Sequence, residues 1–208
     1  MKRIFVFLLL VLTGCSSSKI TQSWKSPNAE IKSNQKILVL GLIHDNDRNM
    51  QEKMEQHLVT DLTDLGYFAS SALKEYGPKA FEKMNEQDVL YKIKNSGFDV
   101  VLTIVLLDKS KERYYVPGKI YYSPYTMYQR GFWRYYTMMN ERIYSQGYYE
   151  ESTRYFWESN LFDVQLKQLI YSAQTESFDP ASAETLGHEY GQIIVKNMIK
   201  EKMLANRK

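Results

Sequence analysis

From Lys36 to Ile43 the chain reads KILVLGLI, a continuous apolar run of strand length. Such a run suits a strand covered on both faces, as in α/β sheets. His44-Asp45-Asn46-Asp47 follows as a turn, with Asp45 and Asp47 placed to cap a helix. Met50, Met54, Leu58, Leu62 and Leu65 then recur at helical spacing, and Gly66 ends the helix. Tyr67 to Leu73 reads as a weaker strand, and Gly77-Pro78 breaks the chain. Glu86 to Ser96 carries Val89, Leu90 and Ile93 on one helical face, with Gly97 as its stop. Phe98 to Leu107 is a second strongly apolar strand. This β-α-β-α-β order implies parallel strands joined by right-handed crossovers.

The pattern then changes. Thirteen aromatic residues lie between Tyr114 and Tyr149, almost without aliphatic neighbours. That composition fits neither a core strand nor a core helix, and the stretch is long for a structureless loop. The charged run Lys109 to Arg113 reads as a solvated turn. Glu150 to Val164 regains strand character, and a polar turn leads to a further strand over Leu166–Phe178. The two predict an antiparallel hairpin. Asp179-Pro180 opens a last helix with Leu186, Tyr190, Ile193, Ile194 and Met198 on its apolar face. The predicted fold class is α/β. A three-layer βαβαβ parallel core is extended by an antiparallel hairpin and a C-terminal helix. One domain spans residues 36–205, with a Tyr-rich insertion at 109–150.

The N-terminus says where the protein works. Lys2 and Arg3 precede a short apolar core, Ile4 to Leu12, too short for a spanning helix of about 20 residues. These are the flanks of a secretory signal. Leu12-Thr13-Gly14-Cys15 resembles a bacterial lipobox, which makes Cys15 the lipidation site and residues 1–15 a signal peptide. Each acyl methylene contributes about 0.8 kcal/mol to membrane binding, so several chains anchor firmly. Ser16 follows in place of the Asp that retains lipoproteins at the inner membrane, so an outer-membrane anchor facing the periplasm is expected. The polar stretch 16–35 reads as a flexible tether, with Trp24 as a plug that docks on the domain.

Composition narrows the function classes. Losing Lys2 and Arg3 from 27 basic residues leaves 25 against 24 acidic ones, a formal charge of +1. A near-neutral domain has no electrostatic footprint for nucleic acid. Cys15 is the only cysteine, so neither a disulfide framework nor thiol chemistry is left for the mature domain.

Several motifs carry a family resemblance. They are Ser23-Trp24-Lys25 before Pro27, Ile37–Ile43 followed by Asp47-Arg48, Phe98-Asp99, Trp157 to Asp163, and Ser172 to Pro180. With these the chain resembles a family of small bacterial envelope lipoproteins of unknown function. The order of elements is similar to lipoprotein activators of peptidoglycan synthases and to the periplasmic domain of the curli-secretion lipoprotein. That likeness implies a fold and not an activity.

Two candidate sites follow. His44, Asp45 and Asp47 sit at the end of the first strand, where open α/β sheets bind ligands, and Asp108 ends the third strand. Together they have the donors of a divalent-metal hydrolase, against the simpler reading of helix caps and a turn histidine. No Gly-rich phosphate loop follows that strand, so no nucleotide cofactor is expected, and none of another kind. His57 and His188 read as boundary residues. The stronger candidate is the aromatic insertion, with Tyr121, Tyr122, Tyr125, Tyr128, Trp133 and Tyr135 as its binding residues. Tyr combines an apolar face with a hydroxyl and loses little rotamer entropy on binding. Such surfaces suit proteins, glycan rings or membrane interfaces, and Arg113, Arg130, Arg134 and Arg142 add cations for anionic groups. The expected role is a non-enzymatic binding module for an envelope protein or cell-wall glycan. Self-association through the insertion is the structural alternative.

Overall fold

The computed structural model describes residues 17–79, 81–116, 133, 135–137, 139–140 and 147–205, without the side chain of Asp45. Cys15, Tyr121, Tyr122, Tyr125 and Tyr128 lie outside the described residues. The elements are β1 (Ser18–Lys25), β2 (Lys36–Leu42), α1 (Arg48–Asp64), β3 (Phe68–Ser71), α2 (Ala72–Tyr76), α3 (Glu86–Asn95), β4 (Val100–Val116), β5 (Tyr148–Asp163), β6 (Gln168–Phe178) and α4 (Ala183–Lys200). They form one six-stranded sheet in the order β1-β6-β5-β4-β2-β3. β2 pairs parallel with β3 and β4, and β4, β5, β6 and β1 pair antiparallel in turn. The α/β class, the parallel core, the hairpin and the C-terminal helix are as the sequence predicts.

Local rules place the ends. Gly66 and Gly97 adopt φ of 83° and 79° after α1 and α3, a conformation that glycine reaches without Cβ strain. Asn85 and Ser182 cap α3 and α4 by accepting from Asp88 N (2.9 Å) and Thr185 N (3.0 Å). The last helix therefore begins at Ala183, later than the Asp179-Pro180 signal suggests, because Ser182 supplies the cap.

The sheet is covered unevenly. On one face Ile37, Val39, Leu102, Ile104, Trp157, Leu161 and Tyr171 pack against Met54, Leu58 and Leu62 of α1 and Leu186, Tyr190, Ile194 and Met198 of α4. On the other face Leu38 and Val101 meet Ala72, Ile93, Phe98 and Val164. This second cluster covers only the parallel half, so the molecule is three-layered there and two-layered over β5, β6 and β1. Trp24 on β1 is half-exposed on the open face, paired with Ser172.

Two expectations are corrected. Ser18–Lys25 is not a tether. It is an edge strand along β6, and Ile20 packs on the core. Its alternation of polar and apolar side chains is too weak to announce a strand, because only one face is covered. Lys109–Arg113 is not a turn. β4 and β5 run on past the sheet as a two-stranded ribbon, from Lys111↔Thr153 to Val116↔Tyr148. A ribbon is held by cross-strand pairs and needs no aliphatic core, so hydropathy does not reveal it.

One buried carboxylate fastens α1 to the parallel half. Glu55 is wholly buried. Its Oε1 accepts from Gly41 N (2.8 Å) and Gln51 Nε2 (3.0 Å). Its Oε2 accepts from Ser71 Oγ (2.5 Å) and Leu73 N (3.0 Å). A Cβ at Gly41 would lie 2.7 Å from Gln51 Cγ and 2.9 Å from Glu55 Oε1, so only glycine leaves room for the network. Glu55→Ala orphans two backbone donors and opens a void. It is expected to lower unfolding free energy by about 2–4 kcal/mol. Urea denaturation checks this, and a loss below about 1 kcal/mol would show that the network is not needed.

Candidate functional site

The end of β2 does not assemble into an acid cluster. Asp47 occupies the N-cap position of α1 but makes no capping bond there. Its Oδ1 instead accepts from Lys109 Nζ at 3.2 Å, tying α1 to the base of the ribbon. His44 Nδ1 accepts from Asn46 N at 3.2 Å, and Asp108 Oδ1 accepts from Lys109 N at 2.8 Å. Among the described residues no three His, Cys, Asp or Glu side chains converge on a possible metal position. The backbone donors beyond β2 and β3 are already engaged. Gly41 N and Leu73 N, donors of the kind that meet a ligand in many α/β sheets, are turned to Glu55.

The ribbon is the most elaborated solvent-facing feature. Directly opposed residues share a face. On one face lie Lys109, Lys111, Arg113 and Tyr115, opposite Tyr155, Thr153, Glu151 and Tyr149. Arg113 Nε and NH2 both donate to Glu151 Oε1 (2.9 and 2.5 Å), and its guanidinium stands 5.8 Å from the Tyr149 ring centre. Tyr115 meets Tyr149 edge-on at 5.4 Å, and its hydroxyl accepts from Gly147 N at 3.0 Å. Lys109 Nζ lies 5.3 Å from the Tyr155 ring centre, and Tyr155 stacks on the buried Trp157 at 5.9 Å. Side-chain contacts thus brace the ribbon at its base and again at its described end.

The opposite face carries Ser110, Glu112, Tyr114 and Val116 against Arg154, Ser152, Glu150 and Tyr148. Arg154 is shared between Glu176 (3.6 Å) and Glu112 (3.9 Å). A hydrogen bond to Glu150 holds the Tyr114 hydroxyl above its usual range, so it acts there as a neutral donor. Tyr148 and Tyr149 are 58% and 66% exposed, too wet for residues whose work is packing. Trp133 and Tyr135 are also exposed, and Trp133 stacks on Tyr136 at 5.6 Å. Of the predicted binding residues, these two are the ones the structure describes.

Sequence reading missed a titratable group between α1 and α4. Glu184 accepts from Lys53 Nζ (2.8 Å) and bonds His57 Nε2 (2.6 Å), and His57 meets His188 edge-on at 5.6 Å. These bonds, that from Lys53 first, hold Glu184 below the usual carboxylate range. Asp61 Oδ2 is shut from solvent and lacks a hydrogen-bond partner among the described residues. Burial raises its pKa, while His188 and His57 oppose the rise. Spacing alone would have placed Lys53, His57 and Asp61 in one row (i, i+4, i+8). The signal that α4 lies beside them is Gly187 and Gly191, which let the helices approach closely. Elsewhere in the core, burial pushes the Tyr171 and Tyr190 hydroxyls well up. Tyr171 donates to Asn197 Oδ1 at 2.7 Å, and Tyr190 bonds Ser159. Both are structural bonds and not proton-transfer groups.

No family model matches the chain, and no curated protein matches its sequence. Solved structures similar to it include the PelC dodecamer from Paraburkholderia phytofirmans, at 12% identity and a TM-score of 0.49 over 91% of this chain and 99% of that one. Another is lipoprotein GNA1162 from Neisseria meningitidis, at 14% identity and a TM-score of 0.42 over 80% of this chain and 99% of that one.

The Asp61 environment gives a test by pH. A carboxyl raised by burial favours the fold below its unfolded pKa, and that contribution is lost as pH rises through the folded value. Asp61→Asn is therefore expected to stabilise at pH 7, by about 1–2 °C in Tm, with the gain vanishing near pH 3. Calorimetry at the two pH values checks this, and a lower Tm at pH 7 would contradict it.

Proposed function

We propose that the protein is a non-enzymatic binding module of the bacterial envelope. It is held by lipid on Cys15 in the outer membrane, faces the periplasm, and makes contact through the β4–β5 ribbon and the aromatic segment between its strands. The observation that carries this reading is the ribbon itself. It leaves the sheet, buries no core, and presents paired Tyr and Arg side chains to solvent. Rigid aromatic side chains on a braced arm lose little entropy on binding. Among the described residues no helix is long and apolar enough to cross a membrane.

A metal-dependent hydrolase at His44, Asp45, Asp47 and Asp108 is the weaker reading, because Asp47 is committed to Lys109 and Asp108 to its neighbouring amide. The candidate partners are an envelope protein and cell-wall glycan, and the structural alternative is a second copy of the chain. In-cell photo-crosslinking from Trp133 and Tyr149 separates them. A dominant adduct with another envelope component is expected. Self-adducts alone would replace the binding reading with assembly. A folded, lipidated protein that gives no adduct from either position would overturn both.

A further inference from the structure

The sheet register fixes which end of the molecule meets the membrane. Ser18 pairs with Ser177, Ser177 with Tyr155, and Tyr155 with Lys109. The N-terminus therefore emerges at the level where β4 and β5 leave the sheet. Ser17 is fastened there by three bonds. Its N and Oγ donate to Glu189 Oε2 (2.9 and 2.6 Å), and its carbonyl accepts from Phe178 N (2.9 Å). Only Ser16 separates Ser17 from Cys15. Three extended residues from Ser18 reach at most about 10 Å, so the lipid cannot lie farther than that beyond the level of Lys109.

The ribbon runs the same way and much farther. Seven residue pairs separate Lys109↔Tyr155 from Val116↔Tyr148. At about 3.4 Å per residue they span about 24 Å. A ribbon standing along the strand direction would overshoot the anchor by about 14 Å, whereas the polar layer of a leaflet is only about 5–7 Å deep. Tyr115, Val116, Tyr148 and Tyr149, with the unpaired edge amides and carbonyls of both strands, would then be carried past that layer into hydrocarbon, at a cost of several kcal/mol. The ribbon must lie along the surface, with one face down.

The two faces differ in charge. Lys111 and Arg113 against Glu151, with Lys109 paired to Asp47, give the Tyr115/Tyr149 face a formal +1. Arg154 against Glu112 and Glu150 gives the Tyr114/Tyr148 face −1. Bacterial leaflets carry anionic headgroups, and Tyr prefers the depth of those headgroups. We infer that the ribbon docks on the phospholipid leaflet that holds Cys15, with the Lys111/Arg113/Tyr115/Tyr149 face against the headgroups and the Tyr148 face outward. This rests on the lipid-anchor reading above and names the first surface that the arm meets. A protein bound by the arm then lies in or on the same membrane, and the Leu166 turn at the far end of the sheet points away from it.

The test uses the full-length lipidated protein in vesicles of phosphatidylethanolamine and phosphatidylglycerol. Mature chains have no free thiol once Cys15 is modified, so Tyr149→Cys, Tyr148→Cys and Leu166→Cys each accept one environment-sensitive fluorophore. All three positions are exposed; Tyr149→Cys gives up ring contacts to Arg113 and Tyr115, so Lys111→Cys on the same face is labelled as a second probe and is expected to follow position 149. The expected result is blue-shifted emission, quenched by spin-labelled lipid, at position 149, with water-like emission at 148 and 166. Water-like emission at 149, or equal quenching at 148 and 149, overturns the docking. The intact mass of the same samples separates the causes. Lipidated protein with a wet position 149 removes this inference and leaves the anchor. Protein without the lipid mass removes the anchor and the inference with it.

Discussion

The antiparallel pairing of Ser18–Lys25 with β6 is the constraint on which the functional account depends. Without it the chain before β2 would be a loose leader. With it, Ser17 is fixed at one edge and one end of the sheet, and the proposed lipid site at Cys15 is two residues away in sequence. Ser18 Oγ bonds Ser177 Oγ at 2.7 Å inside the core, so this edge strand is fastened through its side chains as well as its backbone. The base of the ribbon, the first turn of α1 and Ser17 then share one end of the molecule.

The halves of the sheet divide the work. The parallel half is covered on both faces, and Glu55 takes the Gly41 and Leu73 amides at the end of β2 and after β3. The antiparallel half is covered on one face only and grows outward into the ribbon. Cross-strand Arg–Glu and Tyr–Tyr pairs hold the ribbon strands where a core is absent.

The parallel core was legible because burial on both faces writes continuous apolar runs such as KILVLGLI, and helix ends write glycine and capping residues. β1 was not legible, because an edge strand covered on one face needs only Ile20 and a few small residues inside. The inner part of the ribbon was hidden for a related reason. KSKERYY alternates charge across two wet faces, so hydropathy sees only a polar run. The Tyr-rich segment stands out by composition, but the way β4 and β5 continue to Val116 and Tyr148 is a matter of pairing and leaves no compositional trace. The α1–α4 titratable group stayed hidden because its members meet across helices far apart in sequence.

Shortening the arm tests the central claim most directly. Residues 111–153 are replaced by Asn-Gly, so that Ser110 and Arg154, which already face each other, are joined by a two-residue hairpin turn. The measurement is the in-cell crosslinking pattern of this variant, taken with its Tm and its lipidated mass. If the arm is the contact element, the variant keeps its fold and its lipid and loses the envelope adducts of the wild type. A folded, lipidated variant that retains those adducts would place the contact elsewhere and contradict the account.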